Sequence, residues 1–166
     1  MRIRKITRED AEDYWKLRLR ALKEYPDAFG SSFEAKDRPF EKVKERLNTA
    51  PDDVILEAFS ESGELIGMIG FIREKTKKMR HKAKIWGVYV VPEHQGGGVG
   101  KALLQEVLRH AAGLTGLERI QLTVASHNQK AKALYAQFGF QVYGLEKKAL
   151  KLEDRYIDEE MMEYEL

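Results

Sequence analysis

The chain has 166 residues, of which 43% are hydrophobic and 34% charged, a balance typical of a globular domain rather than of a disordered segment. Its 29 lysines and arginines nearly match its 27 acidic residues, so a formal charge of +2 does not indicate a nucleic-acid partner. The absence of cysteine excludes a thiol nucleophile, a disulfide framework and a thiolate metal site. No apolar run approaches the roughly 20 residues of a membrane span, and the start does not resemble a signal peptide. We therefore expect a single cytoplasmic domain over residues 1–166, with no membrane partner.

The hydrophobic pattern predicts strands and helices that alternate along the chain. Apolar residues three and four positions apart indicate helices, and short apolar runs indicate strands. The predicted strands are 3–6, 53–60, 65–72, 85–91, 119–124, 140–146 and 160–166. The predicted helices are 98–112, 128–138, about 39–47 and a first one, which Thr7 caps with Asp10 three residues later and Pro26 ends. This order predicts an α/β (α+β) fold, one sheet with helices packed on it.

The sharpest feature is the sequence Gln-Gly-Gly-Gly-Val-Gly-Lys from Gln95 to Lys101, which lies between a buried strand and an amphipathic helix. Four glycines in so short a stretch cost conformational entropy, so a stable fold keeps them only where the backbone shape requires it. The first N–H groups of a helix have no partner within the helix, and they lie at the positive end of its dipole. Without side chains in the way, an anion reaches those groups directly. The loop therefore predicts a phosphate or pyrophosphate site, with Lys101 adding positive charge.

Two better-known phosphate loops do not fit this sequence. A Walker loop would place its first glycine at Gln95 and its magnesium-binding hydroxyl at Ala102, and neither residue can serve. The dinucleotide fingerprint needs a glycine at its sixth position, which Lys101 or Leu103 occupies in the two possible registers. We therefore predict neither a magnesium-dependent nucleotidase nor a Rossmann dehydrogenase. The alternative without a ligand is a surface turn that caps the helix.

A second motif follows about 30 residues later, on the helix predicted from Asn128. Asn128, Ala131 and Tyr135 are spaced by three and four positions and share one helical face, and Gly139 and Phe140 follow the helix. Asn128 is also a good N-cap, so it could serve only to begin the helix. Tyr135 could likewise be an ordinary core aromatic.

Together these motifs resemble the GNAT-type (GCN5-related) N-acetyltransferase superfamily, whose loop reads Gln-x-x-Gly-x-Gly, here Gln95, Gly98 and Gly100. The resemblance implies the acyl-CoA N-acyltransferase fold, a mixed, mostly antiparallel sheet of about seven strands, splayed between the fourth and fifth and flanked by about four helices. It also implies acetyl-CoA as co-substrate, with the pantetheine arm along one strand and the pyrophosphate on the loop. The implied cofactor-binding residues are Val88, Val90, Gln95, Gly96, Gly97, Gly98, Val99, Gly100, Lys101, Asn128 and Tyr135.

The implied reaction is direct attack of a neutral primary amine on the thioester. The resemblance gives the catalytic roles to the backbone N–H of Val90, as oxyanion donor, and to Tyr135, as the acid that protonates the departing thiolate. The general base is not assigned. The candidates are Glu34, Glu93, His94, His127 and a chain of water to bulk solvent.

The remaining features leave the acceptor open. The basic run from Arg73 to Lys84 is predicted to be a solvated hairpin, and the four histidines lack metal-ligand spacing, so no metal is predicted. The acceptor is expected to be a small-molecule or protein amine, nucleic acid is not expected as a partner, and a homodimer is possible. The alternative function is a non-catalytic acyl-CoA-binding sensor or interaction module on the same fold.

Overall fold

A computed structural model describes residues 1–47 and 50–166, which form one seven-stranded sheet with helices on both faces. The strands are β1 (Arg2–Lys5), β2 (Asp53–Phe59), β3 (Leu65–Arg73), β4 (Lys82–Val90), β5 (Arg119–Ala125), β6 (Gln141–Leu152) and β7 (Arg155–Glu165). The helices are α1 (Ala11–Glu24), α2 (Phe40–Arg46), α3 (Val99–Ala112) and α4 (Gln129–Gln137). The α/β (α+β) fold predicted from the sequence is confirmed. Across the described residues, no helix combines the length and apolar character needed to span a membrane.

The sheet has the order β1-β2-β3-β4-β5-β7-β6, and β4 and β5 are its one parallel pair. Only Lys82–Lys84 of β4 pair with Arg119–Gln121 of β5, after which the two strands diverge. All the other neighbours are antiparallel. The predicted splay between the fourth and fifth strands is therefore confirmed, and it opens a gap in the middle of the sheet.

Two glycines of β3 show which helix covers which face of the sheet. A Cβ at Gly67 would lie 3.2–3.3 Å from side-chain atoms of Leu103 and Val99, so this face of β3 packs against α3. Gly70 is three positions on and faces the opposite side, where a Cβ would overlap the Trp86 ring. The guanidinium of Arg18, from α1, lies over that ring, so α1 covers the second face.

The first helix begins with the predicted capping box. The Thr7 N–H and hydroxyl both donate to the Asp10 carboxylate at 2.7 Å, and the Arg4 guanidinium donates to the same carboxylate twice at 2.6 Å. These contacts hold the pKa of Asp10 well below its usual range. A single turn of 3₁₀ helix, Arg8–Asp10, precedes the α-helix, which starts at Ala11.

The basic run between β3 and β4 differs from the predicted solvated hairpin at both of its ends. β4 begins at Lys82, three residues before the predicted start, because the run's last residues pair with β3 and β5. Arg73 is buried, and its guanidinium donates to the carbonyl oxygens of Arg80 at 2.5 Å and Thr115 at 3.1 Å. It thereby ties this turn to the loop after α3.

The final hairpin is longer than the sequence predicts. β6 extends six residues past the predicted end at Glu146, and β7 starts five residues before the predicted start at Glu160. Only one of the added residues, Ile157, is buried, and three of them are lysines, so they lack the apolar alternation that indicates a strand. Pairing with the partner strand, through Leu152 and Arg155, forms the strand here.

One carboxyl group is buried in the core. Glu57 in β2 is 0% exposed, and neither of its carboxylate oxygens has a hydrogen-bond partner among the described residues. The nearest cation is Arg4 on the neighbouring strand, 3.8 Å away, but that guanidinium is already bound to Asp10. Burial, together with the negative charge of Asp10, raises the pKa of Glu57 to about 8. This side chain is therefore mostly protonated at neutral pH.

Candidate functional site

A cleft of about 660 Å³ opens where β4 and β5 diverge. It passes through the sheet, from the glycine loop and α4 on the α3 face to the end of α1 on the other. Ten of the eleven predicted cofactor-binding residues line it, namely Val88, Val90, Gln95, Gly96, Gly98, Val99, Gly100, Lys101, Asn128 and Tyr135. The eleventh, Gly97, lies on the far side of the loop and does not line the cleft.

The β4 wall of the cleft is shaped by a bulge. Gly87 has a φ of +63°, which L side chains rarely adopt, and β4 carries one extra residue there relative to β3. Beyond the bulge the Val91 N–H donates to the Ile66 carbonyl of β3. Because the bonding direction alternates along an antiparallel strand, the N–H and C=O of Val90 point away from β3 and into the gap. Val88, two residues earlier, lies within the bulged stretch and lines the cleft.

The glycine loop adopts the backbone that its composition requires. Gly96 and Gly98 have φ values of +81° and +83°, and Gly98 is the N-cap of α3. Gly100 has no positive φ, and a Cβ there would lie 3.5 Å from Leu134 and 3.8 Å from Val90, in the wall of the cleft. The loop thus presents the N-terminal turn of a 14-residue helix, free of bulky side chains, to the cleft.

Gln95 connects three elements around the mouth of the cleft. Its Nε2 donates to the Val90 carbonyl at 3.0 Å and to the Tyr25 hydroxyl at 3.2 Å, while its Oε1 accepts from Lys130 at 3.2 Å. Gln95 therefore braces the end of β4 against α1 and α4. Lys130, which the sequence analysis did not single out, joins Lys101 as a second cation on this side of the cleft.

The second motif lies on α4, opposite the loop. The Asn128 Oδ1 accepts from the Ala131 N–H at 3.1 Å, so Asn128 is the N-cap and also lines the cleft. Tyr135 is 6% exposed, and its ring lies 5.9 Å from that of Phe140. Burial raises the pKa of Tyr135 to about 12, so its hydroxyl keeps its proton throughout the neutral range.

The four candidate bases occupy different places. Glu93 pairs with Arg20 at 2.7 Å, which lowers the pKa of Glu93, and neither Glu93 nor Glu34 lines the cleft. His94 does line it. His127 lies beside its rim, with its Nε2 2.9 Å from the Asp27 carboxylate.

The α1 face of the cleft holds aromatic residues that the sequence analysis did not assign to the site. Tyr25, Phe29, Trp86 and Tyr89 line the cleft there. The Tyr89 hydroxyl donates to Glu24 at 2.6 Å. Burial and this bond raise the pKa of Tyr89, and the bonds from Tyr89 and Arg20 lower the pKa of Glu24. The sequence contains one indication of this part of the site. A glycine inside a buried strand, here Gly87, indicates a bulge or a close approach of the backbone.

Comparison with known proteins places this geometry in a family. The sequence model of the Acetyltransferase (GNAT) family matches residues 13–140. A spermidine N(1)-acetyltransferase of Vibrio cholerae is 27% identical over 78% of this chain and 75% of its own length. An L-amino acid N-acetyltransferase of Escherichia coli is 24% identical, with coverage of 84% and 85%. The crystal structure of a GNAT-family acetyltransferase from Streptococcus pneumoniae superposes with a TM-score of 0.89, at 25% identity and 99% coverage of both chains. The chain therefore belongs to the GNAT family of acetyltransferases, as the loop and the α4 motif predicted.

Proposed function

We propose that this acetyltransferase transfers the acetyl group of acetyl-CoA to a primary amine in the cleft between β4 and β5. The observation that carries the proposal is the opening of the sheet at the glycine loop, which brings unpaired strand edges and a helix N-terminus into one cleft. When bound, acetyl-CoA supplies an activated thioester. The rest of the chemistry falls to the chain's own backbone and side chains.

The α3 face of the cleft fits the cofactor. The N-terminal turn of α3 carries unpaired N–H groups and a positive dipole, which suits a pyrophosphate. Lys101 and Lys130 add charge beside it. The main-chain groups of Val90 point into the gap and Val88 lines it, so the amides of a pantetheine arm would pair with this strand edge as a further strand does. The Val90 carbonyl would exchange its bond from Gln95 for one from the ligand.

Two groups of the chain act on the reacting atoms in this proposal. The Val90 N–H stabilises negative charge on the thioester oxygen, and a preorganised donor of this kind contributes about 3 kcal/mol in other oxyanion holes. Tyr135 donates its hydroxyl hydrogen to the departing sulfur. Complete proton transfer from a phenol with a pKa of about 12 to a thiolate of pKa near 8.5 is uphill, so the hydrogen bond itself carries most of the effect.

The acceptor amine must lose a proton, because an alkylammonium titrates near pH 10.4 and few such amines are neutral at pH 7. His94, at the wall of the cleft, is one candidate for the base, and His127, beside its rim, is a second. The cleft also opens to solvent, which can take the proton directly.

A thiol-release assay tests the proposal. With acetyl-CoA and a panel of primary amines, we expect free thiol that depends on the amine, and we expect saturable acetyl-CoA binding by calorimetry. The alternative, a non-catalytic acyl-CoA sensor, predicts the same binding with no amine-dependent thiol, but the relatives are named as N-acetyltransferases and favour catalysis. Absence of both binding and turnover would overturn the proposal. The cytoplasmic location, the single domain, the lack of a metal and the homodimer remain predictions.

A further inference from the structure

The residues that line the cleft provide no negative charge for a cationic acceptor. None of the described residues that line it is an aspartate or a glutamate. The basic side chains there belong to His94, just before the glycine loop, to Lys101 at its end and to Lys130 on α4. A polyamine acceptor would therefore meet no counter-ion in the cleft.

A partly buried guanidinium, that of Arg18, lies behind the α1 face of the cleft. Arg18, on α1, places its guanidinium carbon 4.8 Å from the centre of the Phe29 ring and 5.8 Å from that of Trp86. Its Nη1 lies 3.3 Å from the position that a Cβ on Gly87 would take. Phe29, Trp86 and Gly87 all line the cleft. Arg18 thus lies behind the α1 face of the cleft wall, at the β4 bulge.

This guanidinium lacks an acceptor for its hydrogen bonds. Nη1 is buried with no partner among the described residues, and no carboxylate among them forms an ion pair with Arg18. Burial lowers the pKa of Arg18, and the charge of nearby Arg38 lowers it further. Stacking on Phe29 and Trp86 satisfies only the faces of the guanidinium, because its N–H groups project in the plane.

An unpaired charge that is removed from water destabilises a fold, so such a group is expected where a ligand supplies the missing partner. The planar fork of an arginine matches a carboxylate, which accepts two parallel hydrogen bonds. The carboxylates of α1 are engaged elsewhere, since Glu12 and Asp13 pair with Lys16, and Glu24 binds Arg20 and Tyr89. The missing partner therefore belongs to a molecule in the cleft.

We infer that the acceptor is a primary amine that also carries a carboxylate, and that Arg18 binds this carboxylate behind Phe29 and Trp86 at the β4 bulge. The inference rests on the proposed acetyl transfer and names its substrate class. Gly87 is essential to it, because a side chain there would fill the space beside Nη1. Amino acids and longer amino carboxylates share this chemistry, and the test separates them.

The test compares acceptors that differ only at the carboxylate. L-Phenylalanine, L-phenylalaninamide and phenethylamine form one set, 4-aminobutyrate and propylamine a second, and spermidine represents the polyamines. The amide is the key member, because it removes the charge while making the amine less basic and so more often neutral. We expect kcat/KM for the carboxylate of at least one set to exceed that of its uncharged partners by about 100-fold, as for other buried charge pairs. Which set responds distinguishes α-amino acids from longer amino carboxylates.

The variant Arg18→Met removes the charge and keeps an unbranched side chain. We expect it to lower kcat/KM for the preferred carboxylate by about 100-fold and to leave the uncharged amines within about threefold. Arg18→Lys should restore part of the preference. The matched control is Arg20→Met on the same helix, whose guanidinium is partly exposed and paired with Glu24 and Glu93, and which should keep the wild-type preference.

Stability and cofactor affinity provide the second readout. Arg18→Met should unfold at an equal or higher urea concentration than the wild type, because it removes an unpaired, partly buried charge, and its acetyl-CoA affinity should not change. The inference is overturned if spermidine or the uncharged amines match the carboxylates, if no carboxylated amine is acetylated, or if Arg18→Met keeps the preference. Acetyl-CoA binding and turnover of uncharged amines would still support the proposed function in each of these cases. The proposed function itself would be overturned only if both acetyl-CoA binding and turnover were absent.

Discussion

The buried carboxyl of Glu57 makes the stability of this protein depend on pH in a direction opposite to that of most acids. Its pKa is about 8 in the folded chain and 4.5 as the ordinary value, so the folded state binds more protons between these limits. Stabilisation from this group is therefore complete below pH 4.5 and is lost as the pH rises through 8. Between pH 5 and pH 7.5 the linkage relation gives a loss of about 3 kcal/mol.

Glu57→Gln tests this reasoning, since the amide has the shape of the protonated carboxyl but does not titrate. Urea unfolding of both proteins at pH 5, 6, 7 and 7.5 gives the free energy of unfolding of each. We expect the wild type to lose about 3 kcal/mol relative to the variant across this range. Other titrating groups are common to both proteins and cancel in the difference.

A matched control is Glu64→Gln, at an exposed position in the turn between β2 and β3. It should follow the wild type at every pH. Parallel curves for the wild type and Glu57→Gln would refute the argument, because they would mean that Glu57 titrates alike in the folded and unfolded chains.

Two further predictions concern the cleft. Tyr135→Phe should lower kcat by about 100-fold while acetyl-CoA affinity stays within about twofold, and wild-type turnover in steady-state kinetics would remove Tyr135 from the mechanism. Because the pKa of Tyr135 is about 12, its ionisation should cause no loss of wild-type activity up to pH 9. Gly98→Ala forces an alanine to a φ of +83° and should cost about 1–2 kcal/mol in urea unfolding. Gly100→Ala creates only ordinary contacts, so this variant should fold with wild-type stability but bind CoA more weakly in calorimetry. Equal destabilisation by the two alanine substitutions would contradict this distinction.

The sequence was most informative where a local rule decides the structure. The glycines of the loop predict a backbone that other residues adopt poorly, followed by a helix. Gly96 and Gly98 do have positive φ values, and Gly98 is the N-cap of α3. Asn128 is a strong N-cap whatever its surroundings, and it caps α4. The apolar runs of β2 to β5 are recognisable because these strands are buried.

Features that depend on contacts distant in the sequence could not be predicted in this way. Arg18 and Trp86 are far apart in the chain, and only the sheet brings the guanidinium to the ring. Glu57 occupies a position that reads as the polar side of a strand, and it is buried because β2 is covered on both faces. The outer half of the β6–β7 hairpin is at most partly buried except at Ile157, so pairing rather than hydrophobicity forms it.

The short parallel contact between Lys82–Lys84 and Arg119–Gln121 divides the sheet into two blocks. One block contains β1 to β4, and the other contains β5, β7 and β6. At the closed end the His81 carbonyl accepts the N–H groups of Glu118 and Arg119, so the main chain joins the two blocks at this corner. A molecule seated between the blocks would contact both, and it would thereby bridge strand edges that the sheet itself leaves unpaired.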